Sequence, residues 1–286
     1  MKGKIICINK FIHRVLLENN TIIDTRTRGK LRNQKVSPVV GDNVIVDVTN
    51  KTIEKVEPRK NYLERPLIAN IDKLLIVMST SIPVFSDYLI DKFLLIANYN
   101  NIEPIICLTK TDLLNEEEEK NIKEIFNYYQ SIGYIVVTNN DIKEIKKLIT
   151  GKIVVFAGQS GAGKSSLLNK LDKNLNLETN EISKALGRGK HTTRCTTLYD
   201  IDSSLVADTP GFSSVDFRGM TKIDIRDNMK DMFDNLHNCK YKDCMHIKED
   251  DCEVKRLVEQ NKILLSRYNN YKSFIGGQKW KYQYRY

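Results

Sequence analysis

The chain has 286 residues, 41% of them apolar and 28% charged, with a formal net charge of +9. That length exceeds one comfortable domain and leaves room for two or three compact units with real cores. No apolar stretch reaches the ~18 to 20 residues of a membrane span, and the start "MKGKIICINKFIHR" lacks an apolar signal region and a small-residue cleavage site, so a cytoplasmic protein without a membrane segment is expected.

Residues 1–62 read as five short strands, "GKIICIN", "HRVLLEN", "TIIDTRT", "VVGDNVIVDV" and "KTIEKVEP", separated by polar turns. Five strands in so short a stretch predict a small closed barrel. An OB-fold is favoured, with an SH3-like or other small barrel of no nucleic-acid role as the alternative. This unit carries 13 Lys/Arg against 6 Asp/Glu, and residues 221–286 carry 14 against 10, whereas residues 63–220 carry 18 against 20. Basic flanks around a neutral middle suit an RNA gripped through its phosphates; the plain alternative is a Lys-rich chain with solvated basic faces. Pro58 and Pro66 bracket a predicted linker, "PRKNYLERP".

From Ile71 strands and helices alternate, which predicts a mainly parallel sheet covered on both faces. "KLLIVMST" (73–80), "EPIICLT" (103–109), "YIVVT" (134–138) and "KIVVFAG" (152–158) read as strands. Stretches 86–100, with Ser86 or Asp87 as cap, 116–132, 141–149 and 165–171 read as helices. After "SLVADTPGF" the chain turns polar and helical, ending in one amphipathic run at 253–275 and the aromatic-basic tail "QKWKYQYRY". The expected units are 1–62, 63–220 and 221–286; the last is small enough that a structural metal would help it fold.

Gly158-Gln159-Ser160-Gly161-Ala162-Gly163-Lys164-Ser165, followed by Ser166, is a GxxxxGK[ST] phosphate loop in strand–loop–helix context. Its backbone N–H groups and the helix N-terminus suit an anion, Lys164 suits the β/γ-phosphates, and the Ser165 hydroxyl suits Mg²⁺. "DTPG" lies 44 residues after Lys164: Asp208 fits a position behind Mg²⁺ and the Gly211 N–H fits the γ-phosphate. Thr109-Lys110-Thr111-Asp112 follows a buried strand as a guanine reader does. The Asp112 carboxylate can accept from guanine N1–H and the 2-amino group together, which adenine cannot satisfy, while Lys110 would pack its stem along the base. The reader precedes the phosphate loop, the reverse of small GTPases. Sheet position fixes such a site, so moved termini leave the pocket intact.

Between loop and DTPG, Thr192 or Thr193 is the candidate to approach Mg²⁺ and the γ-phosphate, the second favoured. Arg188, Lys190 and Arg194 suit either developing charge or RNA. Phe212 stands where a Ras-like protein has a water-orienting Gln, so slow intrinsic hydrolysis is expected unless His191 or a partner orders the water. An ATPase or nucleotide kinase, and an RNA-binding scaffold with a degenerate nucleotide site, are the rival readings. Cys239-x4-Cys244-x-His246-x5-Cys252 offers three thiolates and one imidazole, a soft set suited to structural tetrahedral Zn²⁺, with His237 as a substitute for His246. Cys7, Cys107 and Cys195 read as ordinary, Cys107 as core.

Taken together, "GDNVIV", "EPRKNYLERP", "TKTD", "GQSGAGKSSLLN", "GRGKHTTR", "DTPGF", the Cys/His cluster and "SRYNNY" resemble the circularly permuted, small-ribosomal-subunit-dependent GTPases of the RsgA (YjeQ) family over nearly the whole chain. Thr109 stands where Asn is commoner, and "VVTNNDIKEI" only loosely resembles that family's second base-contacting loop, with Thr138 or Asn139 as its guanine contact. The resemblance implies an N-terminal OB-fold, a central α/β circularly permuted P-loop GTPase domain and a small helical zinc-binding domain. It also implies action late in small (30S) subunit maturation: a monomer docks on 16S rRNA in the GTP state and leaves after subunit-stimulated hydrolysis.

Overall fold

The computed structural model describes residues 1–28, 37–64, 66–172, 196–201, 203–208 and 216–277. The five predicted N-terminal strands form as β1 (Lys2–Asn9), β2 (Ile12–Leu17), β3 (Ile22–Thr27), β4 (Asn43–Asp47) and β5 (Thr52–Val56). They pair in the order β1-β2-β3-β5-β4 and close through β4 on β1, with β3 and β5 parallel. Closure leaves no free edge, and alternate residues Ile5, Val15, Leu17, Val44, Val46 and Ile53 fill the interior. This is the OB-like barrel expected from the sequence.

The stretch expected as a linker is instead ordered, as the hairpin β6 (Tyr62–Glu64) and β7 (Leu67–Ala69). Buried side chains hold it in place. The Asn61 amide donates to the Ile71 carbonyl (2.7 Å) while its oxygen accepts from Ile71 N–H (2.8 Å), and Asn70 donates to the Gly41 carbonyl (2.9 Å). At Gly41 (φ +89°) a Cβ would sit 2.1 Å from the Ala69 carbonyl oxygen, so only glycine allows barrel and hairpin this close.

The central sheet uses β8 (Lys73–Ser79), β9 (Glu103–Thr109), β10 (Ile135–Thr138), β11 (Ile153–Ala157), β12 (Thr197–Ile201) and β13 (Ser204–Asp208). Spatial order is β10-β9-β8-β11-β13-β12, parallel except for β12. β8 and β11 are buried at every residue, the cost-free place for runs such as "KLLIVMS" that have no polar face. β12 also pairs antiparallel with β1 at Cys7 and Thr197, so one continuous sheet runs from the central unit into the barrel.

Helices α1 (Asp87–Tyr99), α2 (Glu116–Ser131), α3 (Ile142–Ile149) and α4 (Lys164–Leu171) form as predicted. Ser86 caps α1, and Asn115 with Glu118 makes a full capping box on α2, whose first turn is four glutamates placed on the positive end of the helix dipole. The C-terminal part holds α5 (Lys222–Asn228), α6 (Lys230–Asp234), α7 (Glu253–Glu259) and α8 (Leu265–Gly276). The single run expected at 253–275 is therefore two helices. Asn261 takes φ +55°, the left-handed stop after a helix, and Lys262 N–H bonds back to the Leu257 carbonyl (2.8 Å).

One hydrophobic cluster packs β8, α1 and α2 together with Met229, Met232, Val254, Tyr271 and Phe274, so the apolar core is continuous across positions 220 and 221. At that contact Arg267 of α8 is completely buried. It donates to both carboxylate oxygens of Asp231 (2.8 and 2.7 Å) and also to Asp91 of α1, whose other oxygen accepts from Asn270 (2.7 Å). Tyr128 and Tyr129 of α2 donate to Asp231 and Asp91. Burial raises the Asp91 carboxyl above its usual range; at Asp231 burial acts the same way, but Arg267 and its hydrogen bonds outweigh it and hold that carboxyl low. Arg267→Ala would leave two buried carboxylates facing each other, and urea unfolding should show a loss of about 3–5 kcal/mol. A loss under about 1 kcal/mol would mean the network does not hold α8 to α1 and α2.

Candidate functional site

Parallel register brings the carboxyl ends of β8, β9, β10, β11 and β13 to one edge of the sheet, at Ser79, Thr109, Thr138, Ala157 and Asp208. In an open α/β sheet that edge is where ligands bind. The phosphate loop leaves β11 there and feeds α4. At Gly158 (φ +136°) a Cβ would fall 2.0 Å from the Val77 carbonyl oxygen, which makes glycine obligatory at the point where the loop turns over β8. Ser160 and Gly161 are exposed, Ala162 is buried, and Gly163 forms the left-handed N-cap of α4. Ser165 is buried in the first turn of α4 and Ser166 beside it is exposed.

Lys164 donates to the carbonyls of Gly158 (2.8 Å) and Gln159 (2.6 Å) of its own loop. Burial away from any anion lowers its ammonium to about 8. The Gln159 side-chain oxygen is buried with no hydrogen-bond partner, a loop feature the motif did not foretell.

The sequence-predicted reader lies against this loop although 53 residues separate them. Thr109 donates to the Ala162 carbonyl (2.6 Å), and Lys110 donates to Gly161 (3.0 Å) and to Ile82 of the loop after β8. Thr80 caps the carbonyls of Thr109 (3.1 Å) and Lys110 (3.0 Å). Lys110 is itself left-handed (φ +61°) and starts the 3-10 turn Thr111–Leu113, which presents Asp112 exposed at the sheet edge. The loop after β10 joins the same edge through Asn139 N–H to the Leu108 carbonyl (2.7 Å). The Thr138 hydroxyl is taken by Asp141 (2.8 Å), and Lys170 of α4 reaches the Asn139 carbonyl (3.2 Å). β13 ends on Asp208 beside β11. Thr192, Thr193, His191, Arg188, Lys190, Arg194, Cys195, Gly211 and Phe212 lie outside the described residues. Cys107 is core as expected, and burial pushes its thiol up to about 12.

Some distance along the chain, Cys239, Cys244, His246 and Cys252 bring their ligand atoms within 4.8 Å of one another. His246 Nδ1 lies 3.3 Å from Cys252 Sγ and 3.6 Å from Cys239 Sγ, and those sulfurs are 4.0 Å apart. A tetrahedral ion with Zn–S bonds of about 2.3 Å sets sulfur–sulfur edges of about 3.8 Å, so the donor set fits. His237 is not part of the group. Burial pushes the Cys244 thiol up to about 12 and the His246 imidazole down to about 4. The knuckle backbone is pinned by groups that sequence reasoning did not assign: Tyr268 and Tyr271 of α8 donate to the carbonyls of His246 (2.6 Å) and Met245 (2.7 Å), and Arg226 of α5 donates to that of Cys244 (3.3 Å). The "SRYNNY" string is thus the strap between this centre and α1. Its spacing carried the signal, since Arg267, Tyr268, Asn270 and Tyr271 fall on adjoining faces of one helix.

A phosphate loop, a reader that precedes it in the chain and a shared sheet edge define a circularly permuted P-loop GTPase. The model of the RsgA GTPase family matches residues 56–218, and that of the RsgA N-terminal domain matches residues 2–53. The chain belongs to the RsgA GTPase family and is a GTP-hydrolysing enzyme. Among relatives, the small ribosomal subunit biogenesis GTPase RsgA of Enterococcus faecalis is 45% identical over 257 residues, covering 88% of this chain and 86% of the relative. That of Pediococcus pentosaceus is 42% identical over 282 residues, covering 96% and 91%. Among solved structures, YloQ, described as a circularly permuted GTPase, gives a TM-score of 0.83 at 34% identity, covering 98% of this chain and 96% of its own. YjeQ from Thermotoga maritima gives 0.81 at 32% identity, covering 97% and 99%.

The state of Lys164 makes a prediction. A phosphate restores the ammonium's preference for its charged form, so binding GDP near pH 8 should take up a proton, and affinity should fall as pH rises through about 8. Calorimetry in buffers of different ionisation heat should show this uptake at pH 8 and little of it about one unit lower, where the ammonium is already mostly charged. Equal buffer-independent heats at both pH values would contradict the lowered Lys164 ammonium.

Proposed function

We propose that this protein hydrolyses GTP to assist late maturation of the small (30S) ribosomal subunit, binding 16S rRNA in the GTP state and leaving after subunit-stimulated hydrolysis. The observation that carries the nucleotide part is the pair of bonds from Thr109 and Lys110 to the phosphate loop, which hold the turn bearing Asp112 against the loop that bears Lys164. The subunit enters through the names of the relatives.

In this reading Asp112 selects guanine, Lys110 packs along it, and the loop after Thr138 and Asn139 backs it. The backbone of Gly158 to Gly163 and the ammonium of Lys164 hold the phosphates, and Ser165 with Asp208 would hold the Mg²⁺ that accompanies GTP or GDP and neutralises phosphate charge. Thr193 and the Gly211 N–H sense the γ-phosphate. No Gln follows DTPG, so the free enzyme is slow, and His191 or a group on the subunit orders the attacking water. Relaxation after hydrolysis would act on both flanks, since β12 joins the barrel strand β1 and the chain beyond Gly211 enters the metal-binding unit.

RNA contact falls to the basic flanks. Supporting this, Phe11 is 73% exposed at the β1–β2 turn next to Lys10, an aromatic available for a base beside a cation. Cys239, Cys244, His246 and Cys252 would hold a structural Zn²⁺. The domains span 1–62, 63–220 and 221–286, and the protein acts as a cytoplasmic monomer; no helix among the described residues is long and apolar enough to cross a membrane.

Multiple-turnover GTP hydrolysis should be slow alone, rise by at least an order of magnitude with purified small subunits, and not rise with large subunits. Equal rates in all three conditions would overturn the assignment of partner. Metal analysis should find one zinc per chain, and Cys252→Ser should lose it together with a lowered thermal midpoint, because ligation stabilises this small unit. Zinc-free wild type with an unchanged midpoint would overturn the structural-metal reading.

A further inference from the structure

The loop that follows β8 leaves two large aliphatic side chains in solvent although its backbone is braced at both ends. Ile82 is 71% exposed and Val84 79%. Phe85, next in the chain, turns inward and sets its ring edge-on to Phe126 of α2, with centroids 5.8 Å apart. Ser86 then accepts from Leu89 N–H to start α1 (3.3 Å). On the other side Thr80 donates to the Thr109 and Lys110 carbonyls, and the Lys110 ammonium donates to the Ile82 carbonyl. Leu113, 57% exposed, closes the reader turn through its N–H to the Lys110 carbonyl (3.1 Å). Loop, turn and the start of α2 therefore share one face.

Single exposed aliphatics are ordinary, but three on one braced face form a patch, and such patches mark contact surfaces. The rim of this patch decides the partner's charge. Residues 111–119 hold five carboxylates and no Lys or Arg, in a chain of net charge +9. Glu118 is used in the capping box with Asn115, while Glu116, Glu117 and Glu119 stand exposed. The helix dipole accounts for acids in this turn but not for the apolar side chains beside them. Carboxylates repel phosphates and attract Lys and Arg, so the face suits a cationic polypeptide and not RNA. We propose that loop 81–85, turn 111–113 and the first turn of α2 form a docking surface for a Lys/Arg-rich protein segment of the small ribosomal subunit, with an apolar side chain of that segment covering Ile82 and Val84. The inference rests on the subunit docking proposed above and adds a protein contact to it. The surface is also one side chain from the phosphate loop, since the Lys110 ammonium that holds Ile82 donates to the Gly161 carbonyl as well (3.0 Å).

The test measures binding of the full-length protein, loaded with a non-hydrolysable GTP analogue, to purified small subunits. Glu116→Lys, Glu117→Lys and Glu119→Lys together should weaken binding by about tenfold, because like charges then face each other. On a face that met RNA, or nothing, three added lysines would tighten binding to so polyanionic a particle. Equal or tighter binding therefore overturns the proposal. Val84→Ser leaves the charge alone and should also weaken binding, by about fivefold, as an apolar contact is lost; unchanged affinity in that variant overturns the apolar half of the contact. GDP affinity and unstimulated hydrolysis should match wild type in both. Should the triple lysine variant not fold, the three glutamines are read by the same criterion, with weaker binding expected. A photo-crosslinker at position 84 should join a subunit protein; adducts with rRNA alone overturn the proposal. If wild type itself does not bind small subunits, the subunit reading falls and takes the inference with it. If wild type binds and the variants bind as tightly, only the inference falls.

Discussion

Everything at this sheet edge depends on the parallel pairing of β9, β8 and β11, which sets Thr109 opposite Ser79 and ends β11 opposite Ile76, so that the loop leaving β11 passes over β8 and Thr109 hydrogen-bonds to Ala162 across 53 residues of chain. A buried hydroxyl–carbonyl bond of this kind is worth on the order of 1 kcal/mol net, but leaving the carbonyl unpaired in the interior would cost more. The bond therefore acts chiefly as a geometric constraint. Because it belongs to the sheet and not to the order of the chain, a reader placed ahead of its phosphate loop occupies the same space as one placed after it. Permutation moves the ends, and here each end is joined to a further unit.

Those joints are of different physical kinds. At the N-terminal side the coupling is backbone pairing of β1 with β12, reinforced by the Gly41–Ala69 approach and the buried amides of Asn61 and Asn70. At the C-terminal side it is an ionic network, one guanidinium shared by two carboxylates from separate parts of the fold, set in a continuous apolar core. Such a network adds little over a well-packed apolar contact, but its directionality admits only one docking geometry for α8. The same helix sends Tyr268 and Tyr271 to the carbonyls of His246 and Met245 in the Cys/His cluster. A displacement of α1 would thus be felt at the Cys/His cluster through a few bonds.

Much of this was legible in the sequence. Short strand-like runs between polar turns marked the barrel, fully apolar runs marked β8 and β11, and Ser86, offered with Asp87 as a cap, marked the start of α1, because each pattern reports a local preference that the tertiary fold did not oppose. The phosphate loop, the reader and the Cys/His group were found because their chemistry demands fixed spacing. What escaped depended on distant partners. The "PRKNYLERP" stretch looked like a linker, since Asn61 and Asn70 show their value only when Ile71 and Gly41 arrive. The break at Asn261 was hidden by apolar spacing that runs on through it, and the left-handed turn there is set by backbone bonds to Leu257. The ionic role of Arg267 shows only when Asp91, 176 residues earlier, closes over it.

The central claim is that a single nucleotide spans from the Lys164 loop to the Asp112 turn. A crystal structure of the protein with GDP bound tests it most directly. The account predicts the β-phosphate within the Gly158–Lys164 backbone and both Asp112 carboxylate oxygens within hydrogen-bonding distance of the purine N1 and 2-amino groups. A nucleotide seated in the loop with its base turned away from Asp112 would contradict it.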